Sequence, residues 1–187
     1  GDFNVLFVVN ESVSAKYTSL FGSKDNTTPY QRKHFSESFL FPKAISNTTF
    51  TGGSLSTIFS GINYHGEKGN TSSSLLWHYA KQANLKTFYI SSLWSEWNDM
   101  DTGYLDYPSI DYVNSSKTFT ATLGRYDHLS VSIFSDEIKK SRWQKPFLGV
   151  INFSNTHYPY YAPDKFKKWT PAKPSFKEEE ISLLIFS

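Results

Sequence analysis

Three short, unbroken apolar runs constrain the fold more than any other feature of the chain. They are Asn4-Val5-Leu6-Phe7-Val8-Val9, Thr87-Phe88-Tyr89-Ile90 and Pro146-Phe147-Leu148-Gly149-Val150-Ile151-Asn152-Phe153. A strand with one wet face alternates polar and apolar residues, whereas a continuous run reads as a strand buried on both faces. The first run is therefore expected to be a central strand. Helical spacing fills the intervals. Ser54 to Ser60 places Leu55, Ile58 and Phe59 together and stops at Gly61, and Ser74 to Asn84 aligns Leu75, Leu76, Tyr79 and Ala83. Tyr126 to Lys140 points Leu129, Ile133 and Ile138 inward. Ser14 to Phe21 reads as a short helix ended by Gly22, and Thr28-Pro29 opens another. Phe39 to Ile45 suggests a strand leading to a loop, and residues 95 to 124 read as aromatic loop. Strands alternating with helices predict an α/β fold, with a largely parallel central sheet flanked by helices. The 187 residues suffice for one domain, residues 1–187, with a sizeable core.

Composition narrows the function classes. The net charge is +2 with scattered Lys and Arg, so no nucleic-acid footprint stands out. Lys165 to Lys168 is the densest basic cluster and reads as a solvated helix face. No run approaches the ~18 apolar residues of a membrane span, and the chain starts almost on its first strand, as an excised soluble domain would. It contains no Cys, which removes disulfides, zinc–thiolate sites and a Cys nucleophile.

Three positions at strand or helix ends carry candidate chemistry. Glu11 directly follows the first strand, where open α/β sheets place their sites, and can be a metal ligand, a solvated loop carboxylate or a helix cap. Thr51-Gly52-Gly53-Ser54 puts a hydroxyl at the amino end of a helix, where free N–H groups and the helix dipole favour an anion. The glycines allow close backbone approach to a phosphate. Thr51 is either a nucleophile awaiting a base or metal, or a plain cap. His157 follows the third strand and can bind metal, hold a phosphate oxygen, protonate a leaving group or play a structural part. Asp127-His128 falls inside a predicted helix and reads as structural.

Together these segments resemble the sulfatase-like branch of the alkaline phosphatase superfamily. Asn4 to Ser12 is similar to its opening strand and metal-binding Glu-Ser, and Thr28-Pro29 to the Thr-Pro that follows. Phe41 to Asn47 and then Thr51 to Gly61 resemble the nucleophile segment, in which the nucleophile lies three residues before a Ser and ten before a closing Gly. Both counts arrive at Thr51, with Thr48 and Thr49 as rivals. Phe88 to Trp94 resembles the strand and Leu-Trp of phosphoethanolamine transferases. Thr156-His157-Tyr158-Pro159-Tyr160-Tyr161 resembles their His-Gly-Pro substrate loop, with Tyr158 in place of Gly.

The resemblance implies a branch and a chemistry. Classical sulfatases convert Cys or Ser to formylglycine and use Asp pairs at the first strand. Glu11 with Thr51 instead resembles the membrane-anchored phosphoethanolamine and phosphoglycerol transferases. That implies Thr51 as nucleophile, Glu11 and Thr51 as metal ligands, and Asn155 and His157 as substrate-binding residues. It implies zinc, with manganese or magnesium as alternatives. It also implies a phosphatidylethanolamine donor, a lipid A or envelope-glycan acceptor and a phospho-threonine intermediate. The location implied is the periplasmic face of the inner membrane, with a membrane segment outside this chain. Phosphoglycerol transfer and an inactive lipid- or glycan-binding domain are the competing readings. The family's second metal half-site, an Asp-His-Gly after a later apolar strand, does not occur. Leu183 to Phe186 is apolar but the chain stops at Ser187, so a catalytic domain truncated at its C-terminus is expected.

Overall fold

The computed structural model describes residues 3–62, 73–94, 104–117, 124–140, 143–144, 146–158, 160 and 162–168. The apolar segment Ile181 to Phe186 lies outside the described residues, as do Pro159 and Tyr161 of the loop after the third run. The chain divides into two compact units, one of residues 1–11 and 47–187 and one of residues 12–46.

Among the described residues, the larger unit is built on a four-stranded parallel sheet. Its strands are β1 (Val5–Asn10), β2 (Lys86–Trp94), β3 (Tyr112–Ser116) and β4 (Phe147–Phe153), in the order β1-β4-β2-β3. The three apolar runs are β1, β2 and β4. β2 and β4 are buried along almost their whole length, as unbroken apolar runs require. β1 departs from expectation: among the described residues it is an edge strand, with Leu6, Phe7 and Val8 exposed. A continuous apolar run reports strand preference and two apolar faces, but it carries no information on which neighbours cover them. β3 also departs, because it lies within the stretch read as loop. Its Tyr-Val-Asn-Ser-Ser sequence lacks an apolar run, and it is held by pairing to β2 from Phe88↔Tyr112 to Ile90↔Asn114.

Helices cover both faces. On one, α2 (Thr51–Ser60) and α3 (Leu76–Gln82) contribute Leu55, Phe59, Trp77 and Ala80 to a core shared with Tyr89, Tyr104, Leu148 and Val150. Phe59 stacks on Trp77 and on Tyr104 at centroid distances of 5.3 and 5.5 Å, and Trp77 Nε1 donates to Tyr104 O at 2.9 Å. The inward face of α3 is therefore Trp77 and Ala80, whereas Tyr79 and Ala83, expected inside, are exposed. The indole buries more apolar area than its neighbours and its N–H finds a carbonyl, so it decides the rotation of the helix. On the opposite face, α4 (Asp127–Ile138) packs Ile133, Phe134 and Ile138 against Phe88, Ile90, Phe147 and Ile151, while Leu129 is exposed. Gly149 faces Phe88 across the ladder, and a Cβ there would lie 2.0 Å from the Phe88 ring. α2 ends where expected, at Gly61 in the left-handed region with φ 70°.

The smaller unit joins short turns. Single 3-10 turns at Ala15–Tyr17 and Ser19–Phe21 replace the expected helix, and the chain turns at Gly22 with φ 92°. α1 (Pro29–Lys33) begins at Pro29 as expected, followed by a 3-10 turn at Phe35–Glu37. Thr28 and Ser19 are laced together: Ser19 N–H donates to Thr28 Oγ1 at 3.0 Å and Thr28 N–H to Ser19 Oγ at 2.7 Å. No strand forms over residues 39–45, and Phe39, Phe41 and Ile45 are exposed.

Candidate active site

β1 and β4 are parallel neighbours, so the segments that follow them leave the same edge of the sheet. Glu11 continues the ladder by one bond, from its N–H to Phe153 O at 3.1 Å. Its side chain then meets α2, where Thr51 Oγ1 donates to Glu11 Oε1 at 2.9 Å. Thr51 is the first residue of α2 and follows Phe50, whose extended backbone (φ −137°, ψ 152°) starts the helix. Phe50 has no side-chain oxygen to cap the first turn, and the Thr51 hydroxyl is directed at Glu11.

The rival Thr48 is engaged differently. Its hydroxyl donates to Phe50 O and shares a hydrogen bond with Ser54 Oγ, both at 2.9 Å, which braces the entry to α2. Phe50 explains one of the two glycines. Its ring folds back over the helix, and a Cβ on Gly53 would lie 2.8 Å from the ring and 3.0 Å from Thr48 Oγ1. Gly53 thus makes room for protein atoms, a demand that spacing alone did not reveal.

The loop after β4 is held from two sides. Thr156 Oγ1 donates to Glu11 O, tying the loop to the end of β1. On the other side, Asp127 at the start of α4 accepts Ser154 N–H on Oδ1 at 2.9 Å and Asn155 N–H on Oδ2 at 3.2 Å. Asn155 returns a bond, its Oδ1 accepting Asp127 N–H at 2.8 Å, and its amide reaches Arg125 O at 3.4 Å. The Asn155 side chain, expected at a substrate, is thus engaged with the start of α4. Burial pushes the Asp127 carboxyl above its ordinary range, opposed by bonds from Ser154 N–H, the Ser92 hydroxyl and Asn155 N–H and by the nearby His128. Asp127, read as structural, is the residue that organises this loop. Its contact with Asn155 spans 28 positions, and no local pattern announces it.

His157 lies inside this frame. Its N–H donates to Ser154 O at 2.9 Å, and its carbonyl accepts Tyr160 N–H at 2.7 Å. Its Nδ1 lies 2.6 Å from Tyr158 O. A carbonyl only accepts, so Nδ1 carries the hydrogen and Nε2 holds the lone pair of the neutral ring; protonation turns Nε2 into a donor. Glu11 and Thr51 touch, and His157 is linked to Glu11 through the adjacent Thr156.

Two oxygens 2.9 Å apart, one a carboxylate and one a hydroxyl, fit a divalent cation as part of its ligand set. Among the described residues no group of three or more His, Cys, Asp or Glu converges to complete one. Among them, too, no helix is long and apolar enough to cross a membrane.

The sulfatase family model matches residues 3–181. No curated protein shows a significant sequence match. Among solved structures, the C-terminal periplasmic domain of EptC from Escherichia coli, in complex with Zn, superposes with a TM-score of 0.68 at 19% identity, covering 98% of this chain and 54% of that one. The C-terminal periplasmic domain of phosphoethanolamine transferase EptC from Campylobacter jejuni gives a TM-score of 0.72 at 19% identity, covering 97% and 54%. The soluble domain of lipooligosaccharide phosphoethanolamine transferase A from Neisseria meningitidis gives 0.72 at 16% identity, covering 97% and 55%. The chain thus spans about half the length of these structures, and the fold is of the alkaline phosphatase/sulfatase type.

Proposed function

The chain belongs to the sulfatase family, and from that premise we propose that it is catalytic sequence of a metal-dependent phosphoethanolamine transferase. Its donor is phosphatidylethanolamine and its acceptor a lipid A or envelope glycan. The 2.9 Å bond from Thr51 Oγ1 to Glu11 Oε1 is the observation that carries this reading. It directs a helix-terminal hydroxyl at a carboxylate on the sheet edge, the arrangement of an oriented nucleophile. Fold likeness to periplasmic transferase domains supports the branch and an extracytoplasmic location, with a membrane anchor outside this chain.

Each group has a role in the two half-reactions. Glu11 fixes the Thr51 rotamer and, with Thr51, would hold the divalent cation. A bound zinc or manganese ion would lower the hydroxyl's pKa and offset phosphoryl charge. Thr51 loses its proton to solvent as its oxygen attacks the donor phosphorus, the bond from phosphorus to the diacylglycerol oxygen breaks, and that oxygen takes a proton from solvent and leaves as an alcohol. The amino end of α2 presents backbone N–H groups and its dipole to the phosphoryl oxygens. His157, when protonated, meets a phosphate oxygen through Nε2. An acceptor hydroxyl then loses its proton to solvent and attacks the phospho-threonine, the bond from phosphorus to the Thr51 oxygen breaks, and that oxygen regains a proton.

Incubation with phosphatidylethanolamine vesicles, divalent metal and no acceptor, followed by peptide mass spectrometry, tests this reading. A Thr51 peptide heavier by one phosphoethanolamine is expected. Turnover without such an adduct, or an adduct on Thr48 or Thr49, overturns it.

A further inference from the structure

The geometry points to Asp127 as a positioning residue that sets the place of His157. The inference rests on the reading of His157 as the group that meets the substrate phosphate.

Asp127 is the first residue of α4, yet its carboxylate caps nothing in its own helix. Both oxygens reach out to the chain leaving β4, Oδ1 to Ser154 N–H and Oδ2 to Asn155 N–H. These two donors come directly after the last strand residue, where the ladder supplies no further acceptor. Asn155 Oδ1 closes the ring by accepting Asp127 N–H. The gripped residue Ser154 in turn presents its carbonyl to His157 N–H at 2.9 Å. The path from the Asp127 carboxylate to the His157 backbone is therefore one residue and two hydrogen bonds long. On the far side, Thr156 is tied to Glu11 O, so the imidazole is suspended between α4 and the end of β1.

Packing does not account for a carboxylate here. Burial of an acid is unfavourable and raises its pKa, and the nearby Arg125 is committed elsewhere, to Ser91 O and to Asn114. What Asp supplies is two acceptors on a short stem at a helix amino end, whose dipole favours the charge. An apolar residue could attach α4 to the sheet without ordering two loop N–H groups.

The test uses Asp127→Asn and Asp127→Ser in the full chain. Amide exchange, the His157 ring resonances and the affinity for free phosphoethanolamine are measured. In Asp127→Asn one acceptor becomes a donor facing an N–H. Exchange at 154–157 is expected to rise at least about tenfold with Tyr89 and Val150 amides unchanged, and the His157 ring signals to move. Asp127→Ser keeps one acceptor and is expected to fall between, which maintains the test if Asp127→Asn fails to fold. Phosphoethanolamine affinity is expected to drop in each, with no further drop when His157→Ala is already present. Unchanged 154–157 exchange and unmoved His157 signals overturn the proposal, and so does exchange accelerated uniformly across the sheet. If His157→Ala binds phosphoethanolamine as well as the wild type, the substrate role of His157 fails, while the ring signals and exchange still decide what positions it.

Discussion

Thr51 Oγ1 donates a 2.9 Å hydrogen bond to Glu11 Oε1, joining the first residue of a helix to the residue that follows the edge strand, forty positions earlier in the chain. The bond fixes a hydroxyl rotamer at the one end of a helix where an anion is favoured. Neither residue has this geometry without the other, and the first two predictions follow from their separate removal.

Thr51→Ala removes the proposed nucleophile and one hydrogen bond. Headgroup transfer is expected to fall by more than about a thousandfold, as for other nucleophile deletions. Stability is expected to change by only about 0.5–1.5 kcal/mol. Thermal unfolding alongside a transfer assay with labelled phosphatidylethanolamine checks both, and retained transfer would exclude Thr51.

Glu11→Gln keeps the shape and exchanges the proposed anionic ligand for a neutral amide. Outer-shell changes cost about 10–100-fold in metal affinity, so loss of a direct carboxylate ligand is expected to cost at least as much. Calorimetric titration with zinc measures it. Equal affinity in the two proteins would remove Glu11 from the ligand set.

Gly53→Ala tests the Phe50 ring over α2. A helix interior ordinarily gains about 1 kcal/mol from Gly→Ala. Here the new methyl would lie 2.8 Å from the ring, which must move aside, so loss of most of that gain, about 1 kcal/mol, is expected. Phe50→Ala in the same background should return part of that loss. Denaturant midpoints of the four proteins give the coupling, and simple additivity would contradict the packing account.

Asp111 predicts an acid-side loss of stability. Burial opposes its ionisation, but the Lys81 hydrogen bond of 2.7 Å, the Thr87 N–H bond of 2.8 Å and the charges of Lys81 and Lys86 outweigh it. The net effect holds its pKa below the ordinary value of 3.8. A carboxyl with a lowered folded pKa contributes stability that is fully present above the unfolded value and is lost as pH falls through the folded one. The gap in unfolding free energy between wild type and Asp111→Asn is therefore expected to be constant at neutral pH and to shrink as pH falls below 3.8. A gap independent of pH down to the acid limit would show that the ion pairs do not matter.

Local pattern was enough to identify the type of the longer elements β1, β2, β4, α2, α3 and α4 and several boundaries. Unbroken apolar runs marked β1, β2 and β4, since apolar side chains on both sides of a strand call for cover on both faces, which β2 and β4 have. Gly61 ended α2 because glycine enters the left-handed region without a Cβ penalty. The placement of Glu11, Thr51 and His157 at element ends was legible for the same reason: it needs only the boundaries and the parallel direction. Tertiary structure decided everything that depends on a distant partner. β3 exists because β2 offers it a ladder, β1 lies at an edge among the described residues despite its sequence, and α3 turns Trp77 inward because Phe59, Tyr89 and Tyr104 await it. The reciprocal Asp127–Asn155 clamp belongs to the same class. Periodicity records which face of an element is apolar. Hydrogen bonds between residues 28 or 40 positions apart arise only when the sheet brings their elements together.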